Sequence, residues 1–236
     1  LNGADFFLYS FHGDWISERF LEKRKLGTGL TVNESLSGMS SHEHNPYILL
    51  ERERYGDFYA FNFLYSSSHK ESIEITFHHS ARVLVGINDF AFEYELGGGE
   101  SFFTPQAVEV YAENKDAAVS EMHRFVNRHI IREKYAFSER PVVLNSWEAS
   151  YFNFTCEKIL DLAKKAKEIG VELFVLDDGW FSGRNDDKHG LGDWTDDVEK
   201  TGGGLKQLAD KIRALGLKFG IWIEPEMVNP TAELYR

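Results

Sequence analysis

The hydrophobic period of this chain changes near residue 116, and that change limits what it can fold into. Up to about Ala112 apolar residues alternate: Phe61, Phe63 and Tyr65; Ile73, Ile75 and Phe77; Val83, Val85 and Ile87; Phe90, Phe92 and Tyr94. Turn-forming clusters separate these runs at Ser66-Ser67-Ser68, at Gly86 with Asn88, and at Gly97-Gly98-Gly99. Alternation with frequent turns predicts an antiparallel sandwich. From Asp116 onward Val119, Met122, Phe125, Val126 and Ile130 follow helical spacing, and this segment is expected to link two domains before Arg140-Pro141.

After Pro141 strand and helix alternate. Val142-Val143-Leu144 reads as a short buried strand leading to Asn145-Ser146-Trp147-Glu148-Ala149. Thr155 is placed to cap a helix over 156–169, with Glu157 in its first turn and Gly170 at its end. Leu173-Phe174-Val175-Leu176 predicts a second strand, buried on both faces, and Lys218 to Ile223 a third. A helix from Leu205 to Leu215, stopped by Gly216, lies between them. Repeated units of this kind build a parallel sheet with helices outside. Each strand ends in polar or aromatic residues, as in (β/α)₈ barrels, whose sites lie at the C-terminal strand ends. The segment after Pro141 has room for about three of the eight units, so the barrel is expected to be incomplete in this chain.

The richest strand end is Asp177-Asp178-Gly179-Trp180. Charges do not stay unpaired in an apolar interior, so the two carboxylates mark where the strand emerges. Gly179 permits a sharp turn there. Trp180 is expected to offer an exposed apolar ring beside two hydrogen-bond acceptors, a combination suited to a polyhydroxylated ligand. Adjacent residues leaving a strand point to opposite sides of it, so the two aspartates do not suit bracketing one scissile bond; structural hydrogen bonding is the competing reading.

A net charge of −12 argues against nucleic acid or an anionic membrane surface as partner. The lone cysteine, Cys156, excludes an internal disulfide and fits a reducing, cytoplasmic location. No apolar run approaches the roughly 20 residues needed to span a bilayer. The chain opens on Leu1 in aromatic sequence with no visible signal peptide, and Pro230 to Arg236 reads as a helix just begun. The expectation is a piece of a longer protein.

His42-Glu43-His44 and His78-His79 invite a zinc reading, but no third ligand stands at a telling spacing. Asp186, Asp187, Asp193, Asp196 and Asp197 form an acidic loop without the spacing of an EF-hand. Neither metal nor cofactor is expected. Trp194 suits the site or loop packing equally, and Glu224 and Glu226 suit scaffolding.

Three segments resemble, in order, the α-galactosidases of glycoside hydrolase family 36: Asn145-Ser146-Trp147-Glu148-Ala149, Leu176-Asp177-Asp178-Gly179-Trp180-Phe181, and Ile221-Trp222-Ile223-Glu224-Pro225-Glu226-Met227-Val228. Upstream, Gly13 to Arg19, Ser40 to Pro46 and Met122 to Val126 resemble motifs of the same family. The resemblance implies an antiparallel β-supersandwich (1–115), a linker helix (116–140) and the first part of a (β/α)₈ TIM barrel (141–236). It implies retaining hydrolysis of terminal α-linked galactose from melibiose and raffinose-type oligosaccharides by a homotetramer. It makes Asp177 and Asp178 ligands of the galactose 4- and 6-hydroxyls, and Trp147 and Trp222 walls of the pocket. Trp15 would reach the pocket of a neighbouring subunit. The family's nucleophile and acid/base aspartates lie on later strands, beyond Arg236, so the chain by itself is expected to be inactive. A non-catalytic carbohydrate-binding protein and an α-N-acetylgalactosaminidase are the alternatives.

Overall fold

The computed structural model describes residues 5–14, 16–39 and 43–236. The chain divides into two compact units, 1–137 and 138–236.

In the first unit β1 (Phe6–Asp14), β2 (Ser17–Lys25), β3 (Gly29–Ser35), β4 (Glu43–His44), β5 (Tyr47–Arg52), β6 (Phe58–Phe63), β7 (His69–Ile75), β8 (Ala81–Ile87) and β9 (Ala107–Ala112) form two antiparallel sheets. The larger has the order β2-β1-β5-β6-β9, with β4 on β1; the smaller has the order β3-β7-β8. Period-two sequence puts alternate residues on opposite faces, and both faces of the large sheet are covered. Phe6, Leu8, Ile48, Leu50 and Phe61 cluster with Ile73, Ile75 and Ala81 of the small sheet. Tyr9, Leu49, Phe58 and Ala60 cluster instead with Ala118 and Met122 of α1 (Lys115–Phe125). Each fully buried Leu or Phe contributes about 1.5–3 kcal/mol, so the helix is fastened to this sheet by ordinary apolar burial. A π-helical turn (Val126–Ile130) and the one-turn α2 (Glu133–Ala136) follow.

The alternation at Phe90, Phe92 and Tyr94 does not make a strand. These rings are exposed by 69%, 42% and 53%, in a stretch with no strand pairing. Tyr94 and Phe92 pair with Phe102 across the loop, at ring-centroid distances of 4.5 and 6.2 Å. Alternation specifies a strand only where a neighbour accepts the backbone hydrogen bonds.

The second unit holds a parallel sheet in the order β10 (Val143–Asn145), β11 (Leu173–Leu176), β12 (Lys218–Ile221). The one-turn α3 (Trp147–Ser150) and α4 (Cys156–Glu168) follow β10, and α5 (Leu205–Ala214) precedes β12. Thr155 caps α4 by accepting from Lys158 N–H at 3.4 Å, and Gly170 ends it at φ +90°. Phe174 and Leu176 are wholly buried with Ile159 and Ala163 of α4 and Leu208 and Ile212 of α5. Leu173 and Val175, on the opposite face, are only half-buried. The expected burial on both faces is thus corrected, because both helices pack on one face. Pro230 to Arg236 contains a 3₁₀ turn (Glu233–Tyr235). Among the described residues no helix is long and apolar enough to cross a membrane.

Candidate active site

Parallel pairing brings the C-terminal ends of β10, β11 and β12 to one edge, and the polar residues after them share it. Asp177 and Asp178 are 8% and 6% exposed, so they line this edge without projecting from it. Asp177 N–H donates to Ser146 Oγ at 3.0 Å, which ties the end of β11 to that of β10. Asn145 receives Trp147 N–H on Oδ1 at 2.8 Å. Its Nδ2 is thereby turned to donate to Asp177 Oδ2. Asp178 N–H donates to Asp177 Oδ1 at 2.7 Å.

Asp178 is held differently. Gly179 N–H donates to its Oδ1 at 2.7 Å. Arg184 donates from Nε to Oδ1 at 2.9 Å and from Nη2 to Oδ2 at 2.7 Å, the planar fork that matches a carboxylate. Gly179 sits at φ +94°, and a Cβ there would lie 3.3 Å from the Phe152 ring, so the turn needs glycine on both counts.

Residues 101–236 match the Melibiase family and residues 1–97 the glycosyl hydrolase family 36 N-terminal domain. The chain belongs to glycoside hydrolase family 36.

It is 44% identical to α-galactosidase AgaA of Geobacillus stearothermophilus, over 99% of this chain and 33% of that protein. It is 41% identical to the bifunctional α-galactosidase/sucrose kinase AgaSK of Mediterraneibacter gnavus, over 99% of this chain and 26% of that one. The chain therefore spans between a quarter and a third of the length of these relatives. The crystal structure of AgaA superposes with a TM-score of 0.91, covering 100% of this chain and 34% of that one at 43% identity. The α-galactosidase of Lactobacillus brevis gives 0.92, with 100% and 32% covered at 38% identity. Variants of AgaA have been crystallised with raffinose and with stachyose. The fold is thus that of family 36: antiparallel sheets followed by part of a TIM-barrel-like region.

Within this family 36 chain the expected site residues separate. Asn145, Trp147, Asp177, Asp178 and Trp222 gather at the strand ends. Trp147 is half-buried and meets Tyr151 and Phe152 edge-on, with centroids 5.1 and 5.0 Å apart. Trp222 is half-buried and continues the sheet by donating its N–H to Leu176 O at 2.9 Å. Trp15 and His42 lie outside the described residues.

Trp180 is not the exposed platform its position suggested. It is 4% exposed, packs on Phe181, and donates from Nε1 to Trp222 O at 2.8 Å. The positive φ of Gly179 turns the chain back over the helices, so the indole fills the core beneath the site. Trp194 meets Phe181 at a tilt of 53°, with centroids 4.7 Å apart, and shares a cleft of about 890 Å³ with Ser182, His189, Asp193 and Leu234.

The acidic loop is occupied with its own backbone. Asp193 accepts from Glu233 N–H at 3.0 Å, Asp196 from Leu205 N–H at 2.7 Å, and Asp197 from Lys200 N–H at 3.0 Å. Among the described residues no three His, Cys, Asp or Glu side chains converge as a metal site.

Two residues of the site carry no signal in sequence. Arg184 and Lys200 lie in a long polar loop, where cations are ordinarily solvated. Lys200 donates to Gly179 O at 3.1 Å and to Arg184 O at 3.0 Å. Burial holds its ammonium below the ordinary 10.5, an effect that Asp197 and Asp178 oppose. The cues to this edge were the apolar run that ends in Asp177-Asp178-Gly179-Trp180 and the family-like motif over it, and both end before these two residues.

Proposed function

We propose that this chain supplies the galactose-orienting part of a retaining α-galactosidase acting on raffinose-type oligosaccharides. The observation that carries it is the adjacent pair Asp177 and Asp178, anchored at a barrel-type strand end with acceptor positions on Asp177 still open. Family membership, and the raffinose and stachyose complexes of AgaA, support the same substrate class. Trp147 and Trp222 would pack on the C–H faces of the sugar.

The two aspartates are binding groups in this reading. A retaining glycosidase sets its catalytic carboxyls about 5–5.5 Å apart across the scissile bond, one attacking the anomeric carbon and one protonating the leaving oxygen. Asp178 is spoken for by Arg184, and both catalytic aspartates are assigned to strands beyond Arg236. The proposal extends to the organisation into a β-domain (1–115), a linker helix (116–140) and a barrel segment (141–236). It also includes a cytoplasmic homotetramer, on the strength of the family resemblance and the lone cysteine.

The test is hydrolysis of p-nitrophenyl α-D-galactopyranoside by this chain and by the full-length protein carrying it. Activity confined to the full-length protein is expected. A full-length protein that binds galactose without cleaving the glycoside would overturn the enzymatic reading. Cleavage by the 236-residue chain would return Asp177, Asp178 and Glu226 to consideration as catalytic groups.

A further inference from the structure

We propose that Arg184 is a positioning residue of the galactose site, fixing the plane of Asp178 so that the aspartate pair presents one preset array of acceptors. This deepens the α-galactosidase reading and rests on it.

A carboxylate offers about four lone-pair positions. At Asp178, Gly179 N–H and Arg184 Nε meet Oδ1, while Nη2 meets Oδ2, which the same Nε also reaches at 3.1 Å, so both oxygens are engaged. At Asp177, Asp178 N–H and Asn145 Nδ2 take one position on each oxygen, which leaves two. Among the described residues no cation contacts Asp177. The pair is therefore asymmetric: one carboxylate is clamped by a cation, and the other is held by neutral donors and stays receptive.

Arg184 does not itself reach a ligand. It is 4% exposed, and its guanidinium lies 5.3 Å from the Phe152 ring and 5.9 Å from the Phe181 ring. Its remaining donor, Nη1, goes to His189 O at 2.9 Å, and its own carbonyl is held by Lys200. Gly190 makes room for this packing: at φ +87° a Cβ would lie 3.1 Å from Arg184 Cβ and 3.2 Å from the Phe181 ring. A cation buried and braced on every side, with its fork on one substrate-facing carboxylate, acts through that carboxylate.

The charged groups facing Asp178 are Asp177 beside it, Arg184 on the loop, and Lys200 behind the Gly179 carbonyl, with Asp197 beyond Lys200. Removing Arg184 takes away the fork that orients the Asp178 carboxylate and leaves Gly179 N–H as its remaining donor.

The experiment uses the full-length protein with Arg184→Lys and Arg184→Ala, folding being checked by circular dichroism. Arg184→Lys keeps the charge and loses the fork; it is expected to raise KM for p-nitrophenyl α-D-galactopyranoside about tenfold, with a smaller change in kcat. Arg184→Ala is expected to raise KM further than Arg184→Lys, with partial rescue by added guanidinium. Folded variants with wild-type KM would overturn the proposal. Should Arg184→Ala fail to fold, Arg184→Lys decides: a raised KM supports the proposal and an unchanged one overturns it. A wild type that does not cleave the glycoside is the failure of the enzymatic reading, recognised separately. Calorimetric titration with D-galactose then replaces kinetics: weaker binding by Arg184→Lys supports the positioning role, while equal binding, or none by the wild type, overturns it.

Discussion

Asn145 at the end of β10 donates its side-chain amide to Asp177 at the end of β11, 32 residues later in the chain. The same amide accepts Trp147 N–H, so one side chain links the aspartate to the turn that carries the tryptophan. Asn145→Ala removes the donor and leaves the Asp177 carboxylate with one fewer partner in a nearly buried place. The expected result is a rise of about 1–2 kcal/mol in the free energy of substrate binding, about tenfold in KM. Steady-state kinetics on the full-length protein check it, and an unchanged KM removes Asp177 from the list of sugar ligands.

The small sheet carries a polar knot in its core. His69 and Glu71 are both fully buried. The His69 ring places Nδ1 3.0 Å from Glu71 Oε1 and Nε2 2.9 Å from His44 O. Glu71 also accepts from Asn33 Nδ2 at 2.7 Å. Removing one partner of a buried hydrogen-bonded pair leaves the other unsatisfied, so His69→Leu is expected to cost about 1–3 kcal/mol of stability. Urea denaturation measures this, and a loss under about 0.5 kcal/mol would mean that the pair is replaceable.

Tyr47 presents the opposite case. Among the described residues its buried hydroxyl has no hydrogen-bond partner, and burial pushes its pKa up to about 12. Its ring stacks on Phe11, with centroids 5.6 Å apart. Tyr47→Phe keeps the ring and deletes the stranded hydroxyl, so the change is expected to be neutral or stabilising by about 1 kcal/mol. A melting temperature several degrees lower would reveal a partner for this group in solution.

Acid sensitivity has an identified source in the first unit. Arg52 forks onto Asp57, Nε meeting Oδ1 at 2.8 Å, and holds that carboxyl below its ordinary 3.8. A folded pKa depressed below the unfolded one gives stability that is fully present above the unfolded pKa and lost as pH falls through the folded pKa. The stability gap between wild type and Arg52→Gln should therefore be widest near neutrality and close below about pH 4. Thermal melts from pH 7 to pH 2.5 follow the gap, and a constant difference would mean that Asp57 is not the titrating group.

Local chemistry made much of this molecule legible beforehand. Thr155, Glu157 and Gly170 delimit α4 because capping acts within one helical turn. The apolar run at Leu173 to Leu176 and its abrupt end in acids located β11 and the candidate edge. Phe90, Phe92 and Tyr94 misled because alternation is only a capacity to pair. Trp180 misled because the direction of an indole after a glycine depends on a backbone turn that composition does not encode.

By itself the sequence determined where strands and helices lie, which ends of them bear chemistry, and to which family the motifs point. All of these rest on residues within a few positions of each other. Only the tertiary structure decided that Asp178 is clamped while Asp177 stays open, and that Trp180 is core. It also decided that Arg184 is buried against Asp178 and that Lys200 turns to the carbonyls of Gly179 and Arg184. Those outcomes depend on groups brought within hydrogen-bond reach by the folding of a loop. A cation's role is set by what its charge faces after desolvation, and no local pattern in the chain records that.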